Sequence, residues 1–232
     1  MVGSRPKALK ERPPALTDEA TVLSQRKKPT QLRARTTVQR IFKATEDLVR
    51  ARGFARVGTR QIAARAGISI GSVYQYFPTY EAILLAWYEE VAASAARKML
   101  EATIDVLDMA QSDATRITAT ALLVALEKHS LVLLEMPAEM PEIERAISDT
   151  SFLHLNRAAM RRFFERHREY DSQDTERHIF LLETLIMALL RRWVIEKPRA
   201  ISRTMMLQQV CGLIEGYLDR NRLPVTPLRP EA

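Results

Sequence analysis

Between Ser69 and Tyr76 the chain sets hydroxyls, an amide and phenols in close succession, with apolar Ile70 and Val73 among them. Ser69, Ser72, Tyr74, Gln75 and Tyr76 all donate or accept hydrogen bonds without carrying charge. Such a set suits recognition of a surface rich in donors and acceptors, such as the edges of base pairs. Gln75 supplies the amide, and a glutamine can pair with both N6 and N7 of adenine. Ile70 can touch a thymine methyl but cannot hydrogen-bond a base, and Gly71 has no side chain to obstruct close approach. Ser69, Ile70 and Gly71 lead the segment, so they are expected to come nearest the base edges. Thr59 and Arg60, at the start of the preceding helix, are placed for backbone phosphates, which that helix's N-terminal dipole also attracts.

The elements that must hold these groups can be read from spacing. Ile62, Ala63 and Ala66 recur at helical intervals behind Thr59, which stands where an N-cap would. Gly67 falls where that helix must stop, and Ser69 caps a second helix over Ile70 to Tyr76. A helix so short is unstable alone, and a helix-turn-helix gives it a purpose: the first helix buttresses while the second presents its leading end to a DNA groove. Val73 and Phe77 are expected in the core. Upstream, Val38, Ile41, Phe42, Thr45, Leu48 and Val49 line one face of a helix that Gly53 ends; Phe54 and Val57 lead into the motif. Thr79 caps a further helix with Glu81 in its first turn, running from Ala82 to about Leu107. Later helices are expected over Asp113–Met136, Pro141–Thr150, Phe152–Tyr170, Gln173–Lys197 and Arg199–Arg222, with no sustained alternation that would signal a sheet. The predicted fold class is all-α.

The motif resembles that of the TetR family of transcriptional regulators. The pattern G-[IV]-S-x-G-[ST]-[LV]-Y-x-[YH]-F, followed by an acidic residue in a capped helix, is matched at Gly67, Ile68, Ser69, Gly71, Ser72, Val73, Tyr74, Tyr76, Phe77 and Glu81. Phe42, Ala44, Gly53, Thr59, Ile62 and Ala63 fall where that family's first two helices place such residues, and the likeness runs from Arg35 to Trp87. The resemblance implies that Tyr74 also reaches the groove and that Ser72 and Tyr76 hydrogen-bond phosphates. Where the family usually carries a phosphate-gripping lysine this chain has Tyr80, which can donate to a phosphate but without charge. The resemblance also implies a C-terminal helical domain for ligand binding and dimerisation, and repression relieved by an inducer.

Charge divides the chain in the same place. Residues 1–81 hold 16 basic and 6 acidic side chains, whereas residues 82–232 hold 19 basic and 22 acidic. A basic N-terminal third on a nearly neutral remainder is the footprint of a polyanion bound by one domain. The expected divisions are a disordered basic arm over 1–31, a DNA-binding domain over 32–80 with its motif at 58–77, a regulatory and dimerisation domain over 81–222, and a flexible tail over 223–232. Four prolines (Pro6, Pro13, Pro14 and Pro29) interrupt the arm, whose Arg26, Lys27 and Lys28 lie near the start of the DNA-binding domain.

One recognition helix reads only a few base pairs, which two-fold symmetry remedies. Leu182, Leu185, Ile186 and Leu189, with Leu207, Val210 and Ile214 on the last helix, are the candidate homodimer interface. In the resembling family that pair packs on its copy as a four-helix bundle. Trp87, Tyr88, Met99, His129, Met136, Met140, Phe152, Phe163, Phe164 and Glu183 are candidates for a pocket taking a mostly hydrophobic small inducer. An enzyme is not expected: no phosphate-cradling glycine loop or nucleophile elbow occurs, the four histidines show no metal spacing, and no cofactor is implied. Lone Cys211 excludes an intramolecular disulfide, and the most apolar stretch, Leu181–Leu190, is interrupted by Glu183 and too short to span a membrane. Residence in the cytoplasm, with double-stranded DNA as partner, is the expectation. The competing reading is a nucleic-acid-coating protein driven by the basic N-terminal region without sequence preference.

Overall fold

The structure, a computed structural model, describes residues 32–102, 106, 109–147, 151–167, 170 and 174–222. The proline-rich arm over 1–31 and the tail over 223–232 lie outside the described residues. The described residues are helical throughout, with one isolated antiparallel bridge between Tyr170 and Arg222. In chain order the helices are α1 (Leu32–Arg52), α2 (Thr59–Ala66), α3 (Ile70–Tyr76), α4 (Tyr80–Ala102), α5 (Gln111–Lys128), α6 (Met136–Glu139), α7 (Pro141–Ala146), α8 (Ser151–Arg166), α9 (Thr175–Glu196) and α10 (Arg203–Arg220).

Helices α1 to α3 and the start of α4 form an N-terminal head. Val38, Ile41, Phe42 and Val49 of α1 are buried as the periodicity predicts, and so is Thr45, whose hydroxyl donates to the Ile41 carbonyl at 2.8 Å. That back-bond lets a polar side chain sit in an apolar face. Phe54, Ile62, Val73 and Phe77 complete the core, with Phe42 and Phe77 rings 5.9 Å apart. Thr79 caps α4 as expected, its Oγ1 accepting from the Ala82 N–H at 3.1 Å. Ala82, Ile83 and Leu84 are fully buried in the same cluster that continues through Ala92, Ala95 and Ala96 into the body, so α4 belongs to both parts.

The sequence predicts one helix over Asp113–Met136, and the structure breaks it. Helix α5 ends at Lys128, a π turn covers Leu131–Glu135, and the following segment departs at 85°. No glycine or proline marks the break. Leu131, Val132, Leu133 and Leu134 are all buried, so the bend turns a wholly apolar run inward from every side. Pro137 sits in the first turn of α6, where its missing N–H costs nothing. A second cluster of Phe164, Tyr170, Ile179, Leu182 and Leu218 joins the last three helices. Among the described residues no single helix is long and apolar enough to cross a membrane.

Candidate nucleic-acid interface

Helix α2 is capped one residue earlier than the sequence suggests. Its N-cap is Gly58, whose N–H donates to Oε1 of Gln61 at 2.9 Å. Thr59 is therefore the first helical residue, and its hydroxyl lies 3.3 Å from that of Tyr74 instead, tying α2 to α3. The helix ends at Gly67 with φ 63 and ψ 39, a left-handed conformation that an L side chain resists. Arg40 reaches across from α1, its Nη2 donating to the Ala66 carbonyl at 2.6 Å and the Gly67 carbonyl at 3.2 Å. A Cβ on Gly67 would stand 3.2 Å from that nitrogen, so the Arg40 guanidinium would have to shift by a few tenths of an ångström, while the angle itself favours glycine.

Helix α3 then leaves at a fixed orientation. Oγ of Ser69 accepts from the Ser72 N–H at 3.0 Å and lies 2.8 Å from the Ser72 hydroxyl. Val73 and Phe77 face inward with no exposure, while Ile70 is 36% and Tyr74 44% exposed. Ser69, Gly71 and Gln75 are also exposed; Ser72, Tyr76 and Thr59 are half-buried. A Cβ on Gly71 would meet only Oγ of Ser69, at an ordinary 3.8 Å. Nothing inside the chain requires glycine there, although it costs a helix about 0.5–1 kcal/mol relative to alanine. The outward surface of α3 is thus a small apolar and amide-bearing ridge with a notch at Gly71.

A charged network fixes α2 on α1. The Asp47 carboxylate receives Lys43 at 3.1 Å and Arg65 at 2.5 Å. Hydrogen bonds from Lys43 and then Arg65 hold the Asp47 carboxyl below the usual range. Sequence reasoning missed Arg40, Asp47 and Arg65, because their partners lie 26 and 18 residues away, beyond any local periodicity. Arg60 is exposed and has no ion pair among the described residues, which leaves its guanidinium available to a phosphate. Tyr80 is placed differently from the expectation. Its hydroxyl donates to the Phe54 carbonyl at 3.1 Å, and burial, then Glu81, pushes the phenol above its ordinary range. The donor proposed for a phosphate is spent inside the head.

The body separates residues that the sequence groups together. Of the candidate pocket set, His129 and Met99 line a groove of about 390 Å³ between α4 and α5. Trp87 and Met136 are core residues, and Phe163 stacks edge-on against Phe164 with centroids 5.3 Å apart. Glu183 is buried, with Oε2 accepting from Nε of Arg157 at 2.8 Å, so it ties α9 to α8 rather than lining the groove. The side chain of Phe152 lies outside the described residues. Among the candidate interface residues, Leu182 and Val210 are buried within this chain and are corrected to its own core. Ile186, Leu189, Leu207 and Ile214 are half-buried, and Leu185 is 37% exposed. Phe180, Leu181 and Leu213 are exposed beside them. Cys211 is half-buried, and desolvation, then Glu215, pushes its thiol above the ordinary range, which disfavours the thiolate.

Comparison with known proteins agrees with this geometry. Residues 41–87 match the model for bacterial regulatory proteins of the tetR family. No curated protein sequence matches the chain. Among solved structures, a tetR-family transcriptional regulator from Mesorhizobium loti aligns with TM-score 0.65 at 16% identity, covering 83% of this chain and all (100%) of that one. The fatty acid degradation regulator FadR from Bacillus halodurans aligns at 0.64 and 16% identity, over 81% of this chain and 96% of its own. FadR from Thermus thermophilus, a TetR-family transcriptional repressor in complex with lauroyl-CoA, aligns at 0.53 and 20% identity, over 84% of this chain and 100% of its own.

Proposed function

We propose that this chain, which carries a tetR-family DNA-binding domain on a tetR-like all-α fold, is a sequence-specific transcriptional regulator. In this reading it is a repressor that binds a palindromic operator as a homodimer in the cytoplasm and releases it when a small molecule enters the body. The observation that carries the reading is the orientation of α3, with Val73 and Phe77 sealed inward and Ile70, Gly71, Tyr74 and Gln75 outward at the leading end. An element so short, held by Ser69, Gly67 and Arg40 at a fixed angle, has the dimensions and chemistry of a major-groove reader. Thr59, Arg60, Ser72 and Tyr76 flank it as phosphate contacts, which position the helix without reading sequence. The homodimer is supported by the exposed Leu181, Leu185 and Leu213 on α9 and α10, large apolar groups that the chain itself leaves uncovered. Responsiveness to a ligand is supported by α4, whose first turns belong to the head and whose last turns line the groove in the body.

Selection from a random DNA pool tests the reading. The expected product is an inverted repeat with half-sites one helical turn, or a multiple of it, apart. Enrichment of no sequence, with binding that falls steeply with salt on every DNA, would instead mark a non-specific nucleic-acid-binding protein driven by its basic end.

A further inference from the structure

The groove between α4 and α5 has a chemical polarity that the regulator reading does not use. Its walls are apolar, with Met99 on one side and Ile117 and Val124 on the other. Its rim is cationic: Lys98, Arg116 and Lys128 are all exposed there. These cations are not equivalent. Arg116 already bonds the Asp113 carboxylate at 2.9 Å. Lys98 and Lys128 have no ion pair among the described residues. Lys98, Lys128 and His129 line the groove together, and both lysines act on His129 through their charge. Burial and those two charges hold His129 below its ordinary range, which leaves a neutral imidazole able to donate one hydrogen bond. Among the described residues the only acidic group that acts on it is Glu46 of α1, already occupied by Arg50 at 3.0 Å and Lys43 at 3.7 Å.

We propose that this groove binds an amphipathic anion, with the apolar chain or ring against Met99, Ile117 and Val124 and the acidic head between Lys98, Lys128 and His129. A volume of about 390 Å³ is in the range of small-ligand sites and is more than a single ion needs. Two exposed lysines at the rim attract an anionic head, gain nothing from a neutral ligand and repel a cationic one. The tail lies along the last turns of α4, the helix whose first turns belong to the head of the protein. Binding therefore acts on the helix whose first turns pack into the core of the head. That regulatory consequence rests on the regulator reading; the binding itself does not.

Isothermal titration calorimetry on the full chain separates the two. The probes are decanoate and 2-naphthoate as anions, 1-decanol as the neutral control and decyltrimethylammonium as the cation, all below aggregation. At least one anion is expected to bind once per chain, at least tenfold more tightly than the alcohol or the cation. The double variant Lys98→Gln, Lys128→Gln should weaken the anion at least tenfold and leave the alcohol unchanged. Val124→Trp, at a position 47% exposed and so tolerant of size, should fill the groove and remove binding. Binding of neither anion, equal binding of the cation, or indifference to both variants overturns the assignment. With DNA recovered by selection, saturating anion should lower affinity at least fivefold for the wild-type chain and not for Val124→Trp; no change in the wild type removes the regulatory part. If selection recovers no DNA, the regulator reading fails while the calorimetry still decides the groove.

Discussion

Helix α3 has one apolar underside, Val73 continued by Phe77, and an outward surface of Ser69, Gly71, Tyr74 and Gln75 on which only Ile70 is aliphatic. Helix α9 has apolar groups on both sides: Leu182, Leu190 and Val194 are buried, and Phe180, Leu181 and Leu185 are exposed. On α10 Met206, Val210 and Leu218 turn inward while Met205 and Leu213 turn outward. A helix of the first kind is completed by its own chain, and its outer surface is left to hydrogen-bonding partners. A helix of the second kind completes the chain's core and still carries apolar surface whose natural cover is another apolar surface. Under the proposed function the two regions take partners of different chemistry, a nucleic acid for α3 and a second copy for α9 and α10.

Breaking the underside of α3 should have the largest effect. Phe77→Ala removes a side chain with no exposure and is expected to cost about 3–5 kcal/mol in chemical denaturation, with loss of DNA binding at ordinary temperature. The outer surface of α9 and α10 should behave in the opposite way. Leu185→Glu with Leu213→Glu is expected to change the stability of the isolated chain by no more than about 0.5 kcal/mol per site. It should convert the dimer to monomer in sedimentation and weaken operator binding together with it. A pair that stays dimeric would place the interface elsewhere.

The same contrast explains what the sequence made legible. In the head, polar groups lie on one side of each short helix, so the inward assignment of Ile62, Ala66, Val73 and Phe77 follows from spacing, and Gly67 marks the turn by its type. In α9 the apolar residues run nearly all round, so spacing does not say which of Leu182 and Leu185 faces the core. Leu213 was missed because it stands off the stripe that Val210, Ile214 and Leu218 make. The bend after Lys128 was illegible for a related reason: a uniformly apolar run from Leu131 to Leu134 reads as a buried helix whatever its direction. Contacts such as Arg40 on Ala66 or Tyr80 on Phe54 join residues 26 apart, and local pattern holds no information about them.

On the outer surface of α3 the expected changes are in preference rather than in folding. Gln75 is exposed and has no place in the core, so Gln75→Ala should leave the melting temperature unchanged. It should relax discrimination at one base pair of each half-site by about 1–3 kcal/mol, read by competition with operator variants. If every variant binds as it does to the wild-type chain, Gln75 is not a reader of bases.

The smallest effect sharpens the boundary between the two regions, at Tyr80. Its hydroxyl donates to the Phe54 carbonyl at 3.1 Å, a bond between the turn after α1 and the start of α4. Tyr80→Phe should therefore lower stability by about 0.5–1.5 kcal/mol, the net contribution of one such hydrogen bond. Under conditions where the variant remains folded, its affinity for operator and for random DNA should match the wild type. A phosphate contact predicts the reverse: unchanged stability, with weaker binding to all sequences alike. Since the phenol is neutral, neither case alters the salt slope, so stability and affinity discriminate and salt dependence does not.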